Sequence, residues 1–308
     1  MQKDLAIILC TYNGQNYLQE QLDSYKSQNY KKWELFISDD NSTDATIDII
    51  KKFKIANQNH KITLNINKNK LGFVNNFLNA TKNISRNFDF YAFSDQDDIW
   101  CSKKLERAVD YLKTIRANTP ALYCSRTTLY NNSNKKTGLS PLFSKPPSFS
   151  NALVQSIAGG NTMVFNQAAH NLISRAICDT VIISHDWFLY QLVTGAGGKV
   201  FYDPSPEILY RQHSDNLIGG NIGIFAKLFR IKKLLDNSFR SWNSKNIKVL
   251  KKNSILLSEE NIIKLNLFEQ ARNKPIVGRL TGFYKAGIFR QSFSGQIALW
   301  IGAIFNKI

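Results

Sequence analysis

Several things are scarce in this sequence, and each scarcity closes a door. It has four cysteines in 308 residues, Cys10, Cys101, Cys124 and Cys178. None forms a Cys-x-x-Cys pair or neighbours a histidine suited to share a metal. That spread suits reduced thiols in the cytoplasm rather than a disulfide framework. No window reaches the roughly 18 uncharged apolar residues that a membrane-spanning helix needs, so none is expected. The N-terminal apolar run, Leu5 to Cys10, gives way to polar Thr11-Tyr12-Asn13, so no signal peptide is expected. There is no Gly-x-Gly-x-x-Gly and no Gly-x-x-x-x-Gly-Lys-Ser/Thr. A dinucleotide site or a P-loop is therefore disfavoured. Internal repeats and low-complexity tracts are absent as well.

Positive charge is abundant. Forty Lys and Arg against 23 Asp and Glu give a formal net charge of +17, with a pI near 9.7. Such a balance implies a polyanionic partner: nucleic acid, an anionic membrane or a phosphorylated substrate. The surplus is uneven. Residues 221–308 hold 16 Lys/Arg and 4 Asp/Glu, a net +12, which leaves +5 for residues 1–220. A hydrophobic fraction of 43% suffices for a core.

The first hundred residues alternate regularly. Leu5–Cys10, Trp33–Ser38, Ile62–Ile66 and Phe88–Phe93 read as strands. Helical patterns follow, carried by Leu18, Leu22 and Tyr25, then Ile47, Ile50 and Phe53, then Phe73, Phe77 and Leu78. Strand then helix, repeated, predicts a doubly wound, mostly parallel α/β sheet with flanking helices. Further on, Leu122 to Tyr130 reads as one strand and Asn131 to Pro147 as a polar loop. Thr162–Phe165, Lys199–Tyr202 and Glu207–Tyr210 read as short strands, with helices from Gln167 and from Ser184. Beyond residue 220 the pattern turns helical and basic. Ile224, Phe225, Leu228, Ile231 and Leu235 form an apolar stripe among Lys227, Arg230, Lys232 and Lys233. Two regions follow: an α/β domain over 1–220 and a basic amphipathic helical tail over 221–308.

The polar clusters fall at strand ends, on the edge where open α/β sheets bind ligands. Asp95-Gln96-Asp97-Asp98 puts three carboxylates into four residues, between a buried strand and a helix that Ser102 would cap. Like charges so close repel, and a cation relieves them. Hard oxygen ligands suit Mg²⁺ or Mn²⁺ shared with a substrate phosphate. An isolated Asp-x-Asp is more often a solvated turn; the position after a hydrophobic strand, together with the motif matches given below, reverses those odds. Asp39-Asp40 could accept hydrogen bonds from a base imide or a ribose, with Thr11 and Tyr12 beside them. The same segment reads equally as a helix N-cap, with Ser42 or Thr43 capping and Asp44 favoured by the helix dipole.

Seven motifs in order make the chain resemble a family-two glycosyltransferase with a GT-A fold, over about residues 4–217. They are Thr11-Tyr12-Asn13, Asp39 to Asp44, Asn69-Lys70-Leu71-Gly72 with Asn76-Phe77, Ser94 to Trp100, Gly159-Gly160-Asn161, His185-Asp186-Trp187 and Tyr210-Arg211-Gln212-His213. The last pairings resemble bacterial rhamnosyltransferases of surface-polysaccharide assembly, which use dTDP-L-rhamnose.

The resemblance implies roles. Thr11, Tyr12, Asn13, Asp39, Asp40, Gly72, Asp95, Gln96, Gly160 and Arg211 would contact the nucleotide sugar. Asp97, with Asp95 and His213, would hold Mn²⁺ or Mg²⁺. Asp186 would be the catalytic base. Its competing reading is a helix N-cap before Trp187, that of His213 an ordinary histidine, and that of Gly159-Gly160 a simple turn. The family commonly has Glu-Asp where this chain has His185-Asp186. The implied activity is inverting, metal-dependent transfer of a sugar, expected to be L-rhamnose, to a glycan on a lipid carrier. A UDP-hexose donor is the alternative. The expected location is cytoplasmic, against the anionic inner face of the cell membrane. The rival class is a non-catalytic basic protein on membranes or nucleic acid. Nucleic acid is not expected as a partner, because the strand-end carboxylates would repel its phosphates.

Overall fold

The computed structural model describes residues 4–131, 135–212 and 237–308. The chain begins β1 (Leu5–Thr11), α1 (Leu18–Lys26), β2 (Trp33–Asp39), α2 (Thr46–Ala56), β3 (Ile62–Ile66), α3 (Phe73–Lys82) and β4 (Phe90–Ser94). β1 is buried at every position because it is central and covered on both faces. Ala6, Ile8 and Cys10 enter one core with Phe77 and Leu78 of α3. Leu5, Ile7 and Leu9 enter the other with Leu18, Leu22 and Tyr25 of α1 and with Ile50 and Phe53 of α2.

After β4 come β5 (Ile99–Trp100), α4 (Lys104–Lys113), β6 (Ala121–Ser125), β7 (Thr128–Asn131), β8 (Lys136–Leu139), α5 (Phe149–Ala152), β9 (Val164–Asn166), α6 (Gln167–Arg175), α7 (His185–Gly195), β10 (Lys199–Asp203) and β11 (Ile208–Gln212). Seven strands form the main sheet in the order β10-β6-β9-β4-β1-β2-β3. All neighbours are parallel except β9, which runs against β4 and β6. The second sheet has the order β5-β11-β7-β8. The fold class is thus the α/β arrangement that the strand–helix alternation implied.

The expected single strand over Leu122–Tyr130 is two, β6 and β7, and they belong to different sheets. Arg126 breaks the run: its N–H donates to Asp203 O at 2.9 Å and its Nε to Ser140 O at 2.6 Å. The expected loop over Asn131–Pro147 contains β8. Ser102 does not cap α4, whose N-terminal position is Lys103. A distant side chain supplies the cap: Leu105 N–H donates to Gln28 Oε1 at 3.1 Å.

The C-terminal region is helical: α8 (Ser238–Lys252), α9 (Glu259–Arg272), α10 (Ile276–Lys285) and α11 (Phe293–Ile304). These helices enclose a third core of Phe268, Phe283, Leu299 and neighbours, together with Phe149 and Leu153 of the preceding region. Val249 and Leu256 join the core that contains Ala6 and Ile8. Residues 237–308 therefore pack on the α/β region. The boundary expected at residue 220 and the stripe from Ile224 to Leu235 lie outside the described residues.

Candidate active site

The parallel register aligns the strand ends. Thr11 of β1 sits beside Asp39 of β2, and Leu9 beside Ser94 of β4. Because β9 is antiparallel, the residues before it, Gly160–Thr162, enter at that same edge. The first turn of α7 brings His185 and Asp186 there too. The result is a cavity of about 940 Å³. Its lining includes Thr11, Tyr12, Asn13, Asp40, Gly72, Asp95, Gln96, Asp97, Gly160 and Asp186.

The acidic turn bridges the sheets, leaving β4 of one and entering β5 of the other. Its carboxylates divide. Asp95 and Asp97 line the cavity, whereas Asp98 is buried behind it. Asn161 Nδ2 donates to Asp98 Oδ2, and the Arg211 N–H donates to Oδ1 at 3.3 Å. Burial, then the charges of Asp97 and Asp95, push the Asp98 carboxyl up, against those two hydrogen bonds. Gln96 fastens the turn to the end of β1. Tyr12 N–H donates to Gln96 Oε1 at 2.8 Å, and Gln96 Nε2 returns a bond to Tyr12 O at 2.9 Å. The amide lies so close over Gly14 that a Cβ there would stand 2.3 Å from Oε1.

Asp39 and Asp40 also part company. Asp39 is fully buried and does not line the cavity. It accepts hydrogen bonds from Thr11 Oγ1 at 2.6 Å, Ser42 N–H at 2.7 Å and Ser42 Oγ at 2.6 Å. Asp40 lines the cavity and holds the 69–72 turn, accepting from Leu71 N–H at 2.7 Å and Gly72 N–H at 2.8 Å. That turn needs Gly72, whose φ is +79°. Ser42 and Thr43 do not cap α2. Ser42 Oγ accepts from Asn13 N–H at 2.9 Å, Thr43 N–H donates to Asn13 Oδ1 at 2.9 Å, and Asp44 Oδ1 takes the Thr46 N–H at 3.0 Å.

Arg211, expected at the nucleotide sugar, lies behind the acidic turn and outside the lining. Its guanidinium pairs with Glu20 at 2.7 Å, donates to Asp97 O at 3.1 Å, and sits 4.7 and 4.6 Å from the ring centroids of Tyr17 and Tyr130. It clamps the turn against α1. His213 lies outside the described residues. Lys70 has no role legible in the sequence, yet its Nζ stands 3.6 Å from the Tyr12 ring centroid inside the cavity. A lysine in an Asn-Lys-Leu-Gly turn carries no local signal that it will meet Tyr12.

Asp186 is not the N-cap of α7. Ser184 holds that position, Asp186 is in the first turn, and its Oδ1 accepts from Trp187 N–H at 2.6 Å. Burial, then the charges of Asp97 and Asp186, raise the Asp95 carboxyl well above the usual carboxylate range. The cavity lining carries Asp40, Asp95, Asp97 and Asp186 against one Lys or Arg among the described residues, Lys70. No three of His, Cys, Asp and Glu among the described residues converge closely enough to hold a metal alone. A diphosphate would add further negative charge, so the donor set fits a hard cation completed by substrate phosphate oxygens.

A mostly parallel sheet with flanking helices and an acidic turn at its strand ends is the arrangement of a GT-A fold. The chain belongs to glycosyl transferase family 2, whose model matches residues 6–180. It is 32% identical over 245 residues to the dTDP-rhamnosyl transferase RfbG of Shigella flexneri, covering 75% of this chain and 81% of that one. It is 26% identical over 233 residues to WfaP of Escherichia coli, a UDP-Glc:α-D-GlcNAc-diphosphoundecaprenol β-1,3-glucosyltransferase, covering 75% and 85%. The fold is similar to S. aureus TarS 1–349 in complex with UDP-GlcNAc, at a TM-score of 0.54 and 13% identity, with 93% of each chain covered. It is also similar to the mannosyltransferase PcManGT of Pyrobaculum calidifontis in complex with GDP-Man and Mn²⁺, at 0.52 and 14%, covering 100% and 86%.

Proposed function

We propose that this glycosyltransferase moves L-rhamnose, with inversion, from dTDP-L-rhamnose to a glycan on a lipid carrier. The observation that carries the catalytic reading is that Asp186 and the Asp95–Asp97 pair line one cavity. The identity to RfbG supports the donor. The WfaP identity supports a lipid-linked acceptor and leaves a UDP-hexose as the alternative donor.

In this reading the acceptor oxygen bonds to the anomeric carbon as the bond from that carbon to the phosphate oxygen breaks. The nucleoside diphosphate leaves with the electron pair, and Asp186 takes the acceptor's proton. Asp97 and Asp95 would hold Mn²⁺ or Mg²⁺, which as a Lewis acid favours departure of the diphosphate. Tyr12, Asn13 and Asp40 border the nucleotide, and Lys70 offers it a positive charge. Donor turnover tests the reading: purified protein is given dTDP-L-rhamnose or UDP-glucose with Mn²⁺, with and without a polyprenyl-diphosphate glycan. Release of dTDP supports it. No turnover of any nucleotide sugar would leave the rival binding module.

We further propose that the chain works against the anionic inner face of the membrane. No helix among the described residues is long and apolar enough to cross one. Instead, α11 carries no charge and exposes Phe293, Ile297, Ile301 and Ile304 along one side. Beside it α10 exposes Val277 and Tyr284, and a shallow apolar groove runs between Leu280, Tyr284 and Trp300. Lys274, Lys285 and Lys307 neighbour these residues in sequence. Apolar side chains edged by lysine suit an anionic lipid interface.

A further inference from the structure

The segment between α10 and α11 meets the rim of the cavity, and two cations mark the junction. Ser140, Pro141 and Phe143 line the cavity on one side of this junction, and Ser156 to Ala158 on the other. Gln291 is fastened beside both stretches. Its Nε2 donates to Lys145 O at 3.0 Å, its Oε1 accepts from Lys145 N–H at 3.1 Å, and its own N–H donates to Gln155 Oε1 at 2.9 Å. Lys145 is thereby set against Arg290, and its Nζ donates to Arg290 O at 2.9 Å. An ammonium carries three donors, so that bond leaves two for a ligand. Lys145 is exposed and Arg290 half-buried. The sequence has no Asp or Glu from residue 111 to residue 178 and none after Glu269. Neither stretch therefore brings a carboxylate of its own to neutralise the pair. On the cavity side, Ser148 N–H donates to the Tyr190 hydroxyl at 3.1 Å, one turn along α7 from Asp186. On the other side, Arg290 precedes Phe293, where the exposed apolar side of α11 begins. A molecule with its sugar at Asp186 and its hydrocarbon along α11 would pass Lys145 and Arg290 between the two.

We propose that Lys145 and Arg290 form a subsite for the diphosphate of a polyprenyl-diphosphate acceptor, at the mouth of the cavity and outside the nucleotide site. The ammonium supplies a point charge and the guanidinium a planar fork, and both make charge-assisted hydrogen bonds to phosphate oxygens. A lipid headgroup or a free phosphate shares this chemistry, so the test separates them. The proposal rests on the lipid-linked acceptor reading above.

The test titrates farnesyl diphosphate, a short soluble polyprenyl diphosphate, into wild type, Lys145→Gln, Arg290→Gln and the double variant. Calorimetry in EDTA keeps metal from drawing the ligand to Asp95 and Asp97. Each single variant should weaken binding about tenfold and the double variant further, while Lys145→Arg stays near wild type. Binding of dTDP with Mn²⁺ should not change, since neither side chain lines the cavity. Lys145→Gln alters an exposed side chain, so the test stands if Arg290→Gln does not fold. Inorganic diphosphate should bind more weakly than farnesyl diphosphate, and the double variant should float with phosphatidylglycerol vesicles as wild type does. Flotation lost while farnesyl diphosphate binding holds would assign the pair to lipid headgroups and overturn the subsite. Inorganic diphosphate bound as tightly as farnesyl diphosphate, equal affinities in wild type and both single variants, or no binding to wild type would overturn it too. A wild type that binds farnesyl diphosphate yet turns over no nucleotide sugar would keep the subsite and overturn the transferase reading instead.

Discussion

A carboxylate that binds a cation and one that takes a proton fail differently when each becomes an amide. Asp97→Asn should keep the fold, lose nearly all transfer and make the enzyme indifferent to EDTA; a variant that transfers at the wild-type rate would end the metal role. Asp186→Asn should leave donor binding intact while transfer falls by about 10²–10⁴-fold. Asp186 also takes the first-turn Trp187 N–H at 2.6 Å, so some loss of melting temperature is expected beside the rate loss; a variant that transfers at the wild-type rate would refute the assignment. His185 gives a third, thermodynamic signature. Its pKa is lowered to about 4 in the fold, against about 6.5 in an unfolded chain. The neutral ring's contribution is thus complete above pH 6.5 and is lost as pH falls toward 4. The loss could reach about 3 kcal/mol. Denaturant unfolding between pH 7 and 4.5 should show wild type losing more stability than His185→Gln; parallel curves would contradict this. Residue type and strand-end position made the acidic turn legible in the sequence; Asp186, in the first turn of a helix, was singled out by the family resemblance alone. Which of two adjacent carboxylates faces the cavity was not. Asp39 and Asp40 read alike as letters, and the knitting of Ser42 and Thr11 onto Asp39 decides between them.

At the scale of elements, α7 joins the site to the rest of the molecule. Its first turn presents His185 and Asp186; at its far end Leu192 O, Val193 O and Thr194 O accept from the Ala196, Gly198 and Gly197 N–H groups, and Gly195 O needs a partner from outside the helix. Help comes from α9: Asn261 Nδ2 donates to Thr194 O at 3.0 Å and to Gly195 O at 3.1 Å. The N–H of Ser258 also donates to Gly195 O, at 2.9 Å. Asn261→Ala should therefore lower stability by about 1–2 kcal/mol. The rate per folded molecule should stay unchanged, as read by urea unfolding beside initial-rate measurements. A rate loss without a stability loss would show that α9 does more than cap α7. The parallel strands were legible because burial on both faces writes a continuous apolar run. The break between β6 and β7 was hidden for a complementary reason. Nothing local in Arg126-Thr127 stops a strand; distant Asp203 and Ser140 do. Gln28 capping α4 is the same kind of case, a signal placed far from where it acts.

For the whole molecule, the composition posed a question that the fold makes sharper. Charge alone suits a detached basic arm for a tail of net +12, but residues 237–308 share cores with the α/β region. Deleting the tail would uncover those cores, so truncation cannot cleanly test membrane binding. Surface substitutions can. Tyr284 and Phe293 are 80% and 82% exposed, and the two helices that carry them enclose an apolar groove. A bilayer interface would take up such rings, and each nearby lysine would add about 1 kcal/mol against anionic headgroups. The combined variant Tyr284→Glu with Phe293→Glu should fold and turn over a soluble acceptor as wild type does, since neither side chain is buried or lines the active cavity. In flotation with liposomes, wild type should rise with phosphatidylglycerol vesicles, less so as salt is raised, and scarcely with phosphatidylcholine. The double variant should remain at the bottom of the gradient. Equal flotation with neutral vesicles would remove the electrostatic part of the reading. Undiminished flotation of the double variant would move the contact away from α10 and α11.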